Sequence, residues 1–256
     1  MSQLDVSRRG RVAVLTMKRP ERGNRVSQQM AEEITAALES ARRDADIGAC
    51  VITGHGDVFC LGGDYQGAGT TSAGRMEFAR AFIDMNHAMS RLGKPLVAAV
   101  NGNAHAGGFS IVIACDLAIV ADDATLGLPE AAHGLFPFLA LAIVKDALPK
   151  KLLFDIVYNA RLMRAEEACA LHLVNEAVPR ASVLDRAVQV AEAASSGQNP
   201  DILMLGRDLY YSMRGAGPSE ALDQSRFALG AALAAQDKSG RRGDQTPDDH
   251  TPLARK

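Results

Sequence analysis

Residues 94–116 read KPLVAAVNGNAHAGGFSIVIACD, and this stretch decides the fold. The run 96–100 is short, apolar and uncharged, which is typical of a β-strand buried on both faces. A polar, glycine-containing turn follows the run, and then Gly107 and Gly108 open an apolar segment that ends near Cys115. The stretch therefore predicts a strand, a tight turn and a buried helix in succession.

The segments on either side repeat this alternation. Residues 49–53 form another short β-branched run that glycines end. Residues 4–6 and 11–17 alternate apolar with polar positions, as a β-hairpin does. From Ser27, a good helix cap, to about residue 44 the apolar positions recur at helical spacing, and residues 138–235 are predicted to be mainly helical. Strand–strand–helix (ββα) units followed by helices indicate an α/β fold with a helical C-terminal portion.

Composition argues against several classes of function. The chain has 256 residues, of which 47% are hydrophobic and 23% charged, so it can bury a full core. Its formal net charge of -2 gives no basic field for nucleic acid or for an anionic membrane, and no apolar run is long enough to span a bilayer. We therefore expect a cytoplasmic protein without nucleic-acid or membrane partners.

The four cysteines form no CxxC pair, and the nearby histidines do not complete a metal-ligand spacing. We expect reduced, partly buried thiols and no metal centre.

Five sequence segments, in this order, resemble the crotonase family, which is also called the enoyl-CoA hydratase/isomerase family. They are VITG to FCLGGD (51–64), KP to AVNG (94–102), AGG to ACD (106–116), LPE to GLFP (128–137) and AEEA to LVNEAVP (165–179). The resemblance implies a crotonase-like spiral of ββα repeats, with residues 1–195 as the core that holds the site. It also implies a C-terminal helical region, residues 196–256, that forms trimer contacts and ends in a polar tail that we expect to be mobile.

The same resemblance implies what the protein binds. The substrate is expected to be an acyl-CoA thioester, with no cofactor apart from the coenzyme A that the substrate carries. The expected assembly is a homotrimer, or a hexamer built from two trimers.

Two backbone amides are expected to form an oxyanion hole. A thioester carbonyl gains negative charge when its α-proton moves, and N–H groups fixed at turns or helix N-termini stabilise that charge. Mapping the family pattern gives the amides of Leu61 and Gly107. Gly107 has its own physical argument, because a residue without Cβ lets the thioester approach closely at the positive end of a helix.

The family's hydratases use two glutamates, and this sequence keeps one of them. Glu130, in Leu-Pro-Glu, matches the second, whereas Ser110 stands at the position of the first. A carboxyl group in apolar surroundings has a raised pKa and can exchange a proton with a substrate carbon. Ser110 cannot act as a base near pH 7, but it can orient water or a substrate hydroxyl.

Other residues are predicted to contact the substrate or CoA. Arg25 is a candidate phosphate ligand, and the bulky Phe138 is expected to narrow the acyl pocket. Asp64 is as suited to bracing its turn as to binding. His105 and His133 are expected to line the site, and residues 67–74 to form a mobile lid. The full set of predicted binding residues is Arg25, Val26, Cys60, Gly62, Asp64, Gly108 and Phe138.

Several functions remain open at this point. The first is hydration of a 2-enoyl-CoA, and the second is Δ3,Δ2-enoyl-CoA isomerisation, which needs only one glutamate. A crotonase-type decarboxylase or hydrolase would use the same oxyanion hole with different acid/base groups. A non-catalytic relative that binds CoA, a protein or RNA is the alternative from another class.

Overall fold

The structure is a computed structural model that describes residues 2–65, 71–197 and 199–238. By contacts the chain divides into two compact units, Met1–Met204 and Leu205–Lys256. Of the tail that is predicted to be mobile, Asp237–Lys256, the part from residue 239 onward lies outside the described residues, as do positions 67–70 of the predicted lid, residues 67–74.

The larger unit contains two β-sheets. The residues that the structure describes there form ten strands: β1 (Leu4–Arg9), β2 (Val12–Met17), β3 (Ala49–Gly54), β4 (Val58–Cys60), β5 (Leu96–Val100), β6 (Asn103–His105), β7 (Leu117–Ala121), β8 (Thr125–Gly127), β9 (Leu162–Arg164) and β10 (Glu176–Val178). The main sheet has the order β1-β2-β3-β5-β7-β10, and only the β1–β2 pair in it is antiparallel. The smaller sheet has the order β4-β6-β8-β9, with β9 antiparallel to β8.

Helices follow or flank these strands. They are α1 (Gln28–Arg43), α2 (Ser72–Ser90), α3 (Gly107–Ala114), α4 (Phe138–Val144), α5 (Lys150–Tyr158), α6 (Ala165–Ala170), α7 (Val183–Ser195), α8 (Pro200–Ser212) and α9 (Pro218–Lys238). In each of three successive pairs, β3–β4, β5–β6 and β7–β8, the first strand belongs to the main sheet and the second to the smaller sheet. This repetition confirms the predicted ββα architecture, and it brings the ends of β4, β6 and β8 to one side of the molecule.

Strands β3 and β5 and helix α1 form as predicted, for the physical reasons on which the predictions rested. Every residue of β3 and β5 is buried, as expected for uninterrupted apolar runs in a parallel sheet. Helix α1 begins where predicted, because the Ser27 hydroxyl accepts a hydrogen bond from the Met30 amide at 3.1 Å. Its buried face contains Ile34 and Leu38, which are four residues apart.

The secondary structure predicted from the sequence was incomplete in two places. Residues 138–235 are not wholly helical, because β9 and β10 each add three residues to a sheet edge. The 19-residue helix α2 was not predicted, and the described part of the supposed lid is its start. There the Thr71 hydroxyl accepts a hydrogen bond from the Gly74 amide at 3.1 Å. From Thr71 onward the segment is therefore a capped helix.

Candidate active site

Two adjoining cavities lie where β4, β6 and β8 end. The outer cavity, of about 650 Å³, is lined by Glu21, Arg22, Gly23, Arg25, Leu61, Gly63, Asp64, Tyr65, His105, Ala106, Pro129, Glu130, His133 and Leu135. The inner cavity, of about 10 Å³, is lined by Gly63, Tyr65, Phe78, Phe82, Gly107, Glu130, Pro137, Leu139 and Ala140. Gly63, Tyr65 and Glu130 line both cavities, so they mark the junction between a wide entrance and a narrow end.

The amide that faces this junction after β4 belongs to Gly63, and the prediction of Leu61 is wrong. The Leu61 N–H already donates to the Gly23 carbonyl at 3.0 Å. Val26 pairs with Gly63 as a parallel bridge. The Val26 N–H donates to the Gly62 carbonyl at 2.9 Å, and the Val26 carbonyl accepts from the Asp64 N–H at 2.8 Å. Because neighbouring peptide groups point in opposite directions, this pairing turns the Gly63 N–H away from Val26. That N–H has no acceptor among the described residues.

The second amide belongs to Gly107, the first residue of α3. No acceptor for its N–H is found in the described part of the chain, as expected at a helix N-terminus. A β-carbon placed on Gly107 would lie 3.5 Å from the Gly63 nitrogen, so the two glycine turns are in contact. Ala106, which orients the Gly107 peptide, has φ 53° and ψ -125°, a strained conformation for a residue with a β-carbon.

Glu130 supplies the carboxyl group at the junction. It lies in a 3₁₀ turn, Pro129–His133, that closes on Gly134 with a left-handed backbone. Its Oε2 atom is buried and has no hydrogen-bond partner in the described residues. Burial raises the pKa of Glu130, because the charged form loses its hydration. The pKa of Tyr65, across the junction, is raised by its own burial and by the charge on Glu130.

Ser110 does not occupy the position predicted for it. The side chain is 0% exposed, it lines neither cavity, and its hydroxyl donates to the Gly107 carbonyl at 2.8 Å. A hydroxyl that reaches neither cavity cannot orient a substrate water there. Ser110 is thus part of the first turn of α3 and not a contact group of either cavity.

A braced turn forms the wall of the outer cavity. Arg19 and Asp64 make an almost buried ion pair at 2.8 Å, which supports the bracing role considered for Asp64. The Asn24 side-chain amide donates to the carbonyls of His55 and Val58. Arg25 is exposed and lines the cavity as predicted, but its Nη1 donates to the Leu61 carbonyl at 2.6 Å. These contacts therefore fix the position of the cavity wall relative to the turn that contains Gly63.

Five predicted binding residues line neither of these two cavities: Val26, Cys60, Gly62, Gly108 and Phe138. The first four hold backbone segments together instead. A β-carbon on Gly108 would lie 2.0 Å from the Cys60 carbonyl oxygen, and one on Gly62 would lie 2.8 Å from the Ala106 β-carbon. The Phe138 side chain is 75% exposed and packs on Phe136, with ring centroids 5.5 Å apart.

His105 is held by a chain of hydrogen bonds. The oxygen of the Asn103 amide accepts both the Thr125 N–H and the Thr125 hydroxyl, at 2.9 and 3.0 Å. The Thr125 hydroxyl already donates its only proton to Asn103, so in its contact with His105 Nε2 at 2.9 Å the hydroxyl oxygen accepts. Nε2 must therefore carry the proton. Burial, and then the charge of Arg25, lower the pKa of His105. Both effects favour the neutral form of the ring. His133 is exposed at the cavity rim.

Sequence reasoning missed Gly63, Tyr65, Phe78 and Phe82. Gly63 lies within the quoted FCLGGD motif, but the choice between its amide and that of Leu61 depends on a pairing partner 37 positions away. Tyr65 follows Asp64 directly and carried no motif signal. The phenylalanines share one face of α2, and their i, i+4 spacing was the signal that could have found them.

No three His, Cys, Asp or Glu side chains of the described residues are grouped so that they could hold a metal ion. None of the helices in the described ranges is long and apolar enough to cross a membrane.

Comparison with known proteins identifies the family to which this fold belongs. The family model for enoyl-CoA hydratase/isomerase matches residues 7–226, which is most of the chain. The protein therefore belongs to the enoyl-CoA hydratase/isomerase family of the crotonase superfamily, as the sequence motifs predicted.

Individual relatives agree with this assignment. A Thermus thermophilus protein, provisionally named an enoyl-CoA hydratase, is 35% identical over 213 residues, or 82% of this chain and 84% of the relative. Enoyl-CoA hydratase EchA19 of Mycobacterium tuberculosis is 33% identical over 197 residues, or 75% of this chain and 74% of the relative. The crystal structure of an enoyl-CoA hydratase from Bacillus anthracis, 23% identical, shares the fold with a TM-score of 0.86 over 93% of each chain.

Proposed function

We propose that this protein binds an acyl-CoA thioester, stabilises its enolate with the amides of Gly63 and Gly107, and moves a proton through Glu130. The observation that carries the proposal is the junction itself, where two free amides adjoin a carboxyl group with a raised pKa. One preorganised donor of this kind is worth about 3–4 kcal/mol in the transition state. A carboxyl group with a raised pKa can deliver the α-proton in its neutral form and remove it in its ionised form.

The outer cavity suits the CoA part of the substrate. Arg22 and Arg25 line it and carry positive charge that can meet phosphate groups. The thioester would then lie at the junction, and the acyl group would extend past the two amides into the inner cavity. The proposed chemistry requires no cofactor other than this CoA. The homotrimer or hexamer that the family resemblance implies remains a prediction, which light scattering can check.

The reaction that we propose first is the hydration of a 2-enoyl-CoA. Its support is that the Thermus and Mycobacterium relatives are named as hydratases. In this reaction Glu130 takes a proton from the water that adds at Cβ, the electrons of the double bond move into the enolate, and Glu130 then gives that proton to Cα. The oxyanion hole holds the negative charge between these two events.

A specific observation favours isomerisation of a 3-enoyl-CoA as a second candidate. Isomerisation needs one carboxylate, which takes a proton from Cα and returns it to Cγ. Besides Glu130, the carboxylates lining the two cavities are Asp64, which is paired with Arg19, and Glu21, on the exposed outer wall. Because Ser110 donates to Gly107, it adds no second proton-transfer group.

One experiment tests the proposal and separates the two reactions. The enzyme is incubated in D₂O with crotonyl-CoA and, separately, with 3-butenoyl-CoA, and the products are analysed by mass spectrometry and NMR. Hydration of crotonyl-CoA gives a 3-hydroxyacyl-CoA with deuterium at Cα, whereas isomerisation of 3-butenoyl-CoA gives crotonyl-CoA. We expect Glu130→Gln to lower kcat about 100-fold or more on the preferred substrate, with little change in affinity.

The exposed Glu77, on the outer surface of α2, offers a matched control in the variant Glu77→Gln. This variant should keep the wild-type kcat. Full activity of Glu130→Gln, or the absence of both products from the wild-type enzyme, would refute the proposed chemistry.

A further inference from the structure

The inner cavity is closed by two aromatic side chains of α2. Phe78 and Phe82 lie one helical turn apart, with 1% and 3% of their surfaces exposed, and their ring centroids are 6.5 Å apart. Tyr65 meets Phe78 edge to face at 5.2 Å. The three rings form a continuous aromatic wall of the inner cavity, and Tyr65 also reaches the outer cavity.

This wall adjoins the two glycines that carry the free amides. A β-carbon on Gly63 would lie 2.8 Å from Phe78 Cζ, and one on Gly107 would lie 3.4 Å from Phe82 Cε2 and Cζ. An acyl group that extends from a thioester at both amides into the inner cavity therefore meets these rings. Of the remaining lining residues, Pro137, Leu139 and Ala140 are apolar, and Glu130 places its carboxyl group at the junction.

The space in front of the wall is very small. The inner cavity measures about 10 Å³, against about 650 Å³ for the outer one, and a volume of roughly 10–15 Å³ holds one water molecule. Closely packed interiors do not open freely, and Phe78 and Phe82 are part of such an interior. The inner cavity can thus take a methyl-sized group beyond the reacting carbons, but not an extended chain.

We infer that the substrate carries a short, apolar acyl group of about four carbons, and that Phe82 and Phe78 set this limit. The inference rests on the proposed function only in placing the thioester at the two amides. The limit concerns the size of the acyl group and applies whether the bound thioester is hydrated or isomerised.

Binding of unreactive saturated thioesters tests the inference without turnover. The dissociation constants of free CoA, butyryl-CoA and octanoyl-CoA are measured by calorimetry for the wild-type protein. We expect butyryl-CoA to bind at least as tightly as free CoA, and octanoyl-CoA to bind about tenfold or more weakly than butyryl-CoA, which corresponds to about 1.4 kcal/mol. Equal affinity for butyryl-CoA and octanoyl-CoA would overturn the inference.

Variants then assign the limit to the wall. Phe82→Ala should raise the affinity for octanoyl-CoA relative to butyryl-CoA, and Phe82→Leu, which removes less volume, should do so to a smaller degree. Met85→Ala is the matched control, because Met85 is fully buried on the same helix but lines neither cavity. That control should leave the chain-length preference unchanged. An unchanged preference in folded Phe82→Leu would also overturn the role of Phe82.

Gly107→Ala provides an independent readout. Its β-carbon would make only ordinary contact with Phe82, so the fold should persist while the methyl group fills the inner cavity. We expect butyryl-CoA to lose affinity about tenfold while free CoA binds as before. If neither crotonyl-CoA nor 3-butenoyl-CoA reacts but this binding pattern holds, the proposed reaction fails and the size limit stands.

Discussion

The contact between the first turn of α3 and strand β4 can be tested by one added methyl group, in the variant Gly108→Ala. A β-carbon at this position would lie 2.0 Å from the Cys60 carbonyl oxygen and 2.8 Å from the carbonyl carbon. Because carbon and oxygen atoms approach to about 3.3 Å, the two segments must separate by about 1.3 Å. Neither partner can yield alone, since both atoms of Cys60 belong to the backbone.

The displacement has a cost in stability and a larger cost in activity. Overpacking of this kind destabilises a protein by about 1–3 kcal/mol, and the better helix propensity of alanine offsets about 1 kcal/mol of that. The Gly63 amide follows Cys60 along the chain and the Gly107 amide precedes Gly108, so the separation moves the two donors apart. A misplacement of about 1 Å can cost 100-fold in rate. We therefore expect a modest loss of stability and a fall in kcat of about 100-fold.

Thermal unfolding and kcat on the preferred enoyl-CoA are the measurements, with Gly206→Ala as control. Gly206 lies within helix α8, has no atom within 4 Å of an added β-carbon, and has no left-handed backbone. Alanine there should keep kcat and leave stability equal or slightly higher. If Gly108→Ala retains both the wild-type melting temperature and the wild-type kcat, the contact between the two turns does not exist as described.

Three further predictions concern single side chains. Ser110→Ala loses only the hydrogen bond to the Gly107 carbonyl, so urea unfolding should show a free energy of unfolding lower by about 1 kcal/mol, and kcat should stay within a few-fold of wild type. A roughly 100-fold fall in kcat would indicate a catalytic role for Ser110. The pKa of Glu130 is raised in the folded protein, so the contribution of its neutral carboxyl group to stability is full at low pH and is lost as pH rises through that pKa. The melting temperature of Glu130→Gln relative to wild type should therefore increase from pH 4 to pH 8. A constant difference would contradict the buried, unpaired carboxyl group. Asp64→Asn leaves the Arg19 guanidinium without its charged partner, and the free energy of unfolding should fall by about 3 kcal/mol; a change below about 1 kcal/mol would show that the pair is solvated.

The main features of the fold were predictable because local sequence determines them. Runs such as β3 and β5 are apolar at every position, and α1 combines helical spacing with a Ser27 cap. Helix α2 escaped prediction because its polar and apolar residues are weakly separated along the chain. The strands β9 and β10 have three residues each, and only pairing with distant neighbours makes them strands.

The site was predictable at the level of segments but not of atoms. The glycine turns and Glu130 were found from their motifs, whereas the donor amide was assigned to Leu61, two positions from Gly63. The N–H of Leu61 is taken by Gly23, a contact between segments that no local pattern reveals. Phe138 was placed in the acyl pocket because of its size and position in a motif. In the structure its ring lies outside, and residues from α2 close the pocket instead.

The pairing of Val26 with Gly63 constrains the length of the FCLGGD segment independently of its composition. Successive peptide groups along an extended chain face opposite ways, so removing one residue between Cys60 and Asp64 would present a carbonyl where the N–H now stands. Such a deletion would turn an attraction for the enolate oxygen into a repulsion, even if every side chain of the pocket were kept. The number of residues in this segment therefore determines the sign of the charge that the site presents to the substrate.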